Sequence, residues 1–177
     1  MTEPLRKEHR GAVGSSWYVD ETYIKVQEQW CYLDRAIDGD GNLVDVRLSD
    51  TRDLAAAEAF FRSAWTVTGV TPDRITTHGH DAYPRAIRTV FGDQVTHRTN
   101  HYLNSHVEQD LRGIKQCHRS TGGLKTFATA ARFCRAFDEI RAFLRLQLHR
   151  NQLVTLAYRR HIHQDRFAQL MGMIAAA

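Results

Sequence analysis

Residues 17–49, WYVDETYIKVQEQWCYLDRAIDGDGNLVDVRLS, carry the pattern that decides the fold. Three runs within them, WYVDETYIKV, WCYLDRAI and LVDVRLS, are rich in β-branched and aromatic residues, which favour a pleated surface. Asp38-Gly39-Asp40-Gly41 separates the second run from the third, and glycine supplies the positive φ that a tight hairpin turn needs. Gln27-Glu28-Gln29 is expected to turn the first strand into the second. Three strands joined in this way form an antiparallel meander.

Downstream the period changes from two to that of a helix. Leu54, Ala57, Phe61, Ala64 and Trp65 recur at helical spacing behind the N-cap candidates between Ser49 and Asp53, and Gly69 and Pro72 end that run. Residues 74–77, RITT, read as a short buried strand. Tyr83 to Phe91 reads as a helix with Pro84 in its first turn. Gln94 to His97 is expected as a fifth strand, and Ser105 as the cap of a helix running through Val107, Leu111 and Ile114 to about Gln116. After Gly122-Gly123, an apolar stripe of Phe127, Ala130, Cys134, Phe137, Ile140, Leu144 and Leu148 predicts a longer helix, with Arg132, Arg135, Arg141 and Arg145 mostly outside it. Leu153 to Ile174 is expected to be helical too. Three antiparallel strands followed by helix, strand, helix, strand and helix is the order of a ribonuclease-H-like α/β fold, a mixed five-stranded sheet with helices on both faces. The organisation expected is a flexible arm over residues 1–16, a core over 17–150 and a helical extension over 151–177.

Composition narrows the function. At 177 residues, 42% hydrophobic and 25% charged, the chain has the make-up of one soluble domain. No apolar run approaches the roughly 20 residues that cross a bilayer, and the polar start MTEPLRKEHRGAVGSS is unlike a signal peptide, so a cytoplasmic protein with no membrane partner is expected. Cys31, Cys117 and Cys134 are odd in number and far apart, against both a disulfide framework and a thiolate zinc site. Charge is uneven: residues 1–97 hold 11 Lys/Arg against 15 Asp/Glu, and residues 98–177 hold 13 against 5. An acidic half beside a basic half suits a cation site next to a polyanion-binding face, although a basic helix face is ordinarily just solvated.

Phosphoryl transfer on DNA uses two divalent cations about 4 Å apart. Magnesium and manganese take hard oxygen ligands, so such sites draw carboxylates from separate elements. Candidates are Asp20 within the first strand, a residue at the end of the fourth, and Glu108 on the helix after the fifth. An acid among β-forming residues calls for a partner or a metal, whereas a helical glutamate is ordinarily a solvated surface residue.

These residues sit in phrases that resemble a known family. WYVDETYIKV, WCYLDRAIDGDGNLVDVRLSDTRDLAAAEAFF, ITTHGHDAYPRAI and THRTNHYLNSHVEQDLRGIK are similar to transposases of the insertion-sequence-six family, within the DDE, retroviral-integrase-like superfamily. The resemblance runs from about Trp17 to at least Arg145. It implies an integrase-type catalytic core that cleaves and joins DNA at element ends and target with two magnesium or manganese ions. It also implies replicative or cointegrate-forming transposition, a homodimer or higher oligomer, and association with the bacterial nucleoid. The family's first acid falls on Asp20 and its glutamate on Glu108. Arg112, Lys115, Arg119 and Lys125 follow Glu108 and would suit contacts to the DNA backbone, against the plain alternative of a basic surface.

The sequence departs from the family in two places. Where the family has an aspartate after ITT, this chain has His78. Imidazole is a poor magnesium ligand and adds no negative charge at neutral pH, so impaired catalysis is expected, with manganese the more tolerant ion. Asp81 is a stand-in that would have to reach back around Gly79. Full-length relatives also carry a helix-turn-helix ahead of the core, and only a short polar arm precedes Trp17 here, which leaves a truncated copy and translation from an internal start as alternatives and puts sequence-specific end binding in doubt. The alternatives are an inactive remnant that binds DNA or intact transposase, and a ribonuclease-H-like nuclease acting on RNA–DNA hybrids. His149, His161 and His163 lack the i, i+4 spacing of a helical metal pair and read as surface residues; His101 and Tyr102 read as packing residues.

Overall fold

A computed structural model describes residues 13–100, 113–114, 124–146 and 154–176. The three opening runs form β1 (Ser16–Val26), β2 (Gln29–Asp38) and β3 (Leu43–Ser49). Val26 pairs with Gln29 across a turn in which Gln27 and Glu28 both take positive φ, at 48° and 65°. That is the sign a tight hairpin needs to match strand twist. The second turn is organised by Asp38, whose buried carboxylate accepts the Asp40 and Asn42 amides through Oδ1, and the Asn42 side chain and the Gly14 amide through Oδ2. Asp38 is thus an acid kept for structure.

The chain continues through α1 (Leu54–Thr68), β4 (Arg74–Thr77), α2 (Tyr83–Phe91) and β5 (Thr96–Thr99), then α3 (Phe127–Leu144) and α4 (Leu156–Ala175). Strand order is β3-β2-β1-β4-β5, with β1 antiparallel to β2 and parallel to β4. This is the ribonuclease-H-like mixed sheet that the order of patterns predicts. Asp53 caps α1 by accepting the Ala56 amide, and Gly69 closes it at φ 66°, a left-handed position that favours glycine.

Alternation along β1 divides the core in two. Trp17 and Val19 join Ala36, Val44 and Ile75 on the face covered by α1 and α2, through Phe60, Phe61, Tyr83, Ile87 and Phe91. Ile24 and Val26 join Leu33, Ile37, Val46 and Leu48 on the other face, against Ala130 and Cys134 of α3 and against Ile114. Gly113 and Ile114 are helical, and Ile114 is fully buried, as its place in the predicted stripe requires. The remainder of that predicted helix lies outside the described residues, as do Cys117 and Leu148.

Four boundaries or burials differ from expectation. The fifth strand is Thr96–Thr99, because the parallel ladder to β4 pairs Arg74 with Thr96 and Thr77 with Thr99. Trp65 and Phe127 occupy apolar helical positions but are exposed, Trp65 lying edge-on to Phe91 of α2 at 6.4 Å. Helix α3 stops at Leu144, and its buried face includes Asp138 and Glu139; Arg35 of β2 reaches it with Nε 3.0 Å from Asp138 Oδ1. Helix α4 begins at Leu156 and meets α3 through Leu170 and Phe143, where Arg166 donates to the carbonyls of Phe143 and Arg145. Among the described residues no helix is long and apolar enough to cross a membrane.

Trp17 is fully buried, sits edge-on to Phe91 at 5.8 Å and donates its indole N–H to the Gly14 carbonyl at 2.9 Å. Trp17→Ala should lower unfolding free energy by about 3–5 kcal/mol through the cavity it leaves, read as a shift in the urea midpoint.

Candidate active site at the β1–β4 edge

Asp20 follows Val19 in β1, is buried, and accepts the Glu21 amide at 2.9 Å. Alternation puts it on the α3 face with Tyr18 and Ile24, and its cross-strand partner is Arg35. The β1–β4 ladder ends at Val19 opposite Thr77, so the next residues along the chain are Asp20 in β1 and His78 just beyond β4. His78 is exposed where the chain leaves β4. Thr77 Oγ1 lies 2.9 Å from His97 Nε2, which ties the end of β4 to β5.

Gly79 at φ 96° then reverses the chain, and His80 tucks back onto the opposite face of β1. Its Nδ1 accepts the Ala82 amide at 3.0 Å, so the ring is neutral there and Nε2 carries the proton. Nε2 lies 3.2 Å from Glu21 Oε2, while Arg52 Nε holds Glu21 Oε1 at 2.7 Å. The ring also stacks on Tyr83, with centroids 4.6 Å apart. Burial lowers the His80 pKa against the opposing pull of Glu21. Tyr83 in turn donates a short hydrogen bond to Asp34, the cross-strand partner of Glu21. Burial pushes the Asp34 carboxyl up to about 7, and the Tyr83 hydroxyl far above its ordinary value. A linked set of polar groups, from Arg52 through Glu21, His80 and Tyr83 to Asp34, therefore backs the edge at which Asp20 and His78 stand.

The other sequence candidates fall elsewhere. Glu108, Arg112, Lys115 and Arg119 lie outside the described residues, as do His101, Tyr102 and His149. Lys125 is exposed beside the Val26–Leu124 bridge, six residues along β1 from Asp20, or about 20 Å at strand rise. Asp81 is exposed beyond the Gly79 turn. His161 faces Asp165 at 3.4 Å on the surface of α4. Cys31 and Cys134 are buried free thiols, and burial pushes Cys134 up to about 12.

A carboxylate such as Asp20 is the hard donor that magnesium or manganese takes, and an imidazole is not. Among the described residues no three His, Cys, Asp or Glu side chains converge as a ligand set. The described residues alone therefore do not make up a magnesium site.

Residues 14–147 match the family described as a DDE domain, of the IS240 transposase type. The chain belongs to this DDE transposase family. A curated relative, the transposase for insertion sequence-like element IS431mec of Staphylococcus aureus, is 36% identical over 113 residues, covering 62% of this chain and 50% of that protein. The transposase for insertion sequence element IS257 in transposon Tn4003, also from Staphylococcus aureus, matches to the same extent. The DDE domain chain thus spans about half the length of these curated relatives. Among solved structures, the catalytic core of HTLV-2 integrase in complex with magnesium superposes with a TM-score of 0.54 at 18% identity, over 87% of this chain and 99% of that one. The simian T-cell lymphotropic virus intasome, in complex with a PP2A regulatory subunit, gives 0.55 at 16% identity, over 88% of this chain and 56% of that one. At these identities the likeness establishes the fold: an α/β, ribonuclease-H-like integrase core.

The candidate residues were unequally visible beforehand. Asp20 and position 78 were legible as motif positions. Glu21, His80, Tyr83 and Asp34 were not singled out; the available signal was that Glu21 and Asp34 are acids inside runs of β-forming residues, as Asp20 is.

Asp34 gives a pH signature. Its folded pKa lies above its unfolded value near 4, so the folded state holds a proton that the unfolded chain releases. Stability from this group is present below pH 4 and is lost as pH rises through about 7. Asp34→Asn keeps an acceptor for Tyr83 and removes that loss. It should melt higher than the parent at pH 8 and be little different at pH 4, in paired thermal melts.

Proposed function

We propose that this chain is the catalytic core, over residues 17–150, of a bacterial insertion-sequence transposase that cleaves element ends and joins them to target DNA. Asp20, position 78 and Glu108 are its three acidic positions, and His78 in the second of them impairs the reaction. The observation that carries this reading is the parallel β1–β4 register, which runs Val19 beside Thr77 and so brings the next residues of the two segments level at the C-terminal end of β4. Family membership over residues 14–147 supports the reaction class.

The consequence of His78 is electrostatic. Transferring a phosphoryl group develops negative charge that this chemistry neutralises with divalent metal held by clustered carboxylates. A neutral imidazole contributes no charge to hold that metal. The basic half of the chain, including Arg112, Lys115, Arg119 and Lys125, supplies cations suited to phosphate contacts, which position a duplex without reading its sequence. Two copies acting together would bring two element ends into one complex, and the HTLV-2 integrase core has been solved in dimeric and trimeric forms. The same substitution also favours a second reading, a catalytically silent copy that binds DNA or an intact transposase.

Strand transfer from a pre-nicked element end separates these. His78→Asp should join strands with magnesium, and the parent should be slower by at least about a hundredfold, the scale on which one site group contributes to transition-state stabilisation. Manganese should narrow that gap. Parent activity equal to the revertant's would refute impairment at His78. Inactivity of both, with retained DNA binding, would favour the silent copy.

A further inference from the structure

We propose that His80 is a positioning residue: by bonding across β1 to Glu21, it holds the turn that carries position 78 level with Asp20. The inference rests on the reading of Asp20 and position 78 as partners in one site. The β1–β4 ladder gives out at Val19 and Thr77, one residue short of both. Beyond that point the chain turns at Gly79, φ 96°, a left-handed position that favours glycine, and the residues after it are placed by side-chain contacts rather than by the ladder. His80 fixes the turn at three places. Its Nε2–H points to Glu21 Oε2 at 3.2 Å, its Nδ1 takes the Ala82 amide at 3.0 Å, and its ring lies on Tyr83 at 4.6 Å. Both partners of the first contact are nearly out of solvent, with side chains 9% and 8% exposed. Low local dielectric strengthens such a bond and makes an unpaired alternative costly.

The anchor is well chosen for this task. Glu21 is the covalent neighbour of Asp20, so whatever is tied to Glu21 is tied to the strand segment that presents Asp20 on the other face. Glu21 is itself fixed from the far side by Arg52 at 2.7 Å. Arg52 lies in the connection between β3 and α1, so the turn after β4 is referenced to a frame built from both ends of the meander. The remaining contacts of His80 do not reach β1. The Ala82 bond is internal to the turn, and Tyr83 stacking orients the ring. The Glu21 bond is the contact of His80 that ties the turn to the strand that carries Asp20. Groups that orient ligating side chains from behind commonly carry about a ten- to hundredfold effect on a site's affinity or activity.

Cysteines at both positions report the geometry without DNA, metal or catalysis. Neighbouring strands lie about 4.8 Å apart, within the separation that a disulfide spans. In an Asp20→Cys/His78→Cys chain, closure of the 20–78 disulfide would be timed by peptide mapping, which separates it from the native thiols. His80→Phe keeps the stack on Tyr83 and loses the bond to Glu21; it should slow closure by about tenfold, the weight of one charge-assisted hydrogen bond. His80→Gln, whose amide N–H can donate to Glu21, should close at close to the parent rate. Parent-rate closure in His80→Phe would overturn the proposal. Should that variant fail to fold, Glu21→Ala decides in its place, with slowed closure expected and unchanged closure refuting. A second arm places His80→Phe on His78→Asp, where kcat for strand joining should fall while KM for DNA stays. An inactive His78→Asp background would count against the transposase reading, while the closure rates still judge the clamp.

Discussion

Strand β1 is paired on both sides over its first residues and packs apolar residues on both faces, and the rest of the molecule is arranged around that constraint. Its antiparallel ladder to β2 runs from Trp17 opposite Asp38 to Val26 opposite Gln29, while its parallel ladder to β4 covers only Ser16 to Val19. Its buried apolar residues divide between the faces, Trp17 and Val19 towards α1 and α2 and Ile24 and Val26 towards α3, while Tyr23 and Lys25 are exposed. Asp20, Glu21 and Thr22 interrupt the pattern where β4 ends. Unsatisfied polar groups are costly in such a place, so each must have partners, and those partners define the site.

The partners divide by face. Below β1, Asp20 stands opposite Arg35, whose guanidinium is ion-paired with Asp138 of α3. That buried pair links β2, the strand beside Asp20, to the helix that covers it. Replacing one member alone would strand the other charge, which binds the two together more strictly than apolar contact would. Above β1, Glu21 gathers Arg52 and His80, and Tyr83 passes the connection on to Asp34. The acids of the meander thus have unlike duties. Asp38 builds a turn, Asp34 accepts a hydrogen bond from Tyr83, Glu21 anchors a turn from another strand, and Asp20 lies one residue beyond the end of the β1–β4 ladder.

The departure at position 78 is informative because the surrounding frame is intact. His78 is exposed and belongs to no core, so its identity is not fixed by packing. The fold therefore tolerates the histidine. A separation of roles is common where a functional group sits on a loop at the end of a strand: the scaffold specifies the position, and the side chain specifies the reaction.

The amino-acid sequence by itself determined the meander, its two turns and the ends of β3, β4 and α2, because glycine, proline and alternating apolar residues act over a few positions. It also determined family membership and the places of Asp20 and His78, since long ordered phrases carry them. Tertiary structure decided what local pattern cannot encode. It shifted β5 to Thr96–Thr99 to meet β4, exposed Trp65 and Phe127, and buried Asp138 and Glu139 within an otherwise apolar helix face. It alone joined His80 to Glu21, residues far apart in the chain, because the pairing depends on a parallel crossover that brings β4 back beside β1. Proximity across such a crossover is a property of the whole sheet, and no window of sequence around either residue contains it.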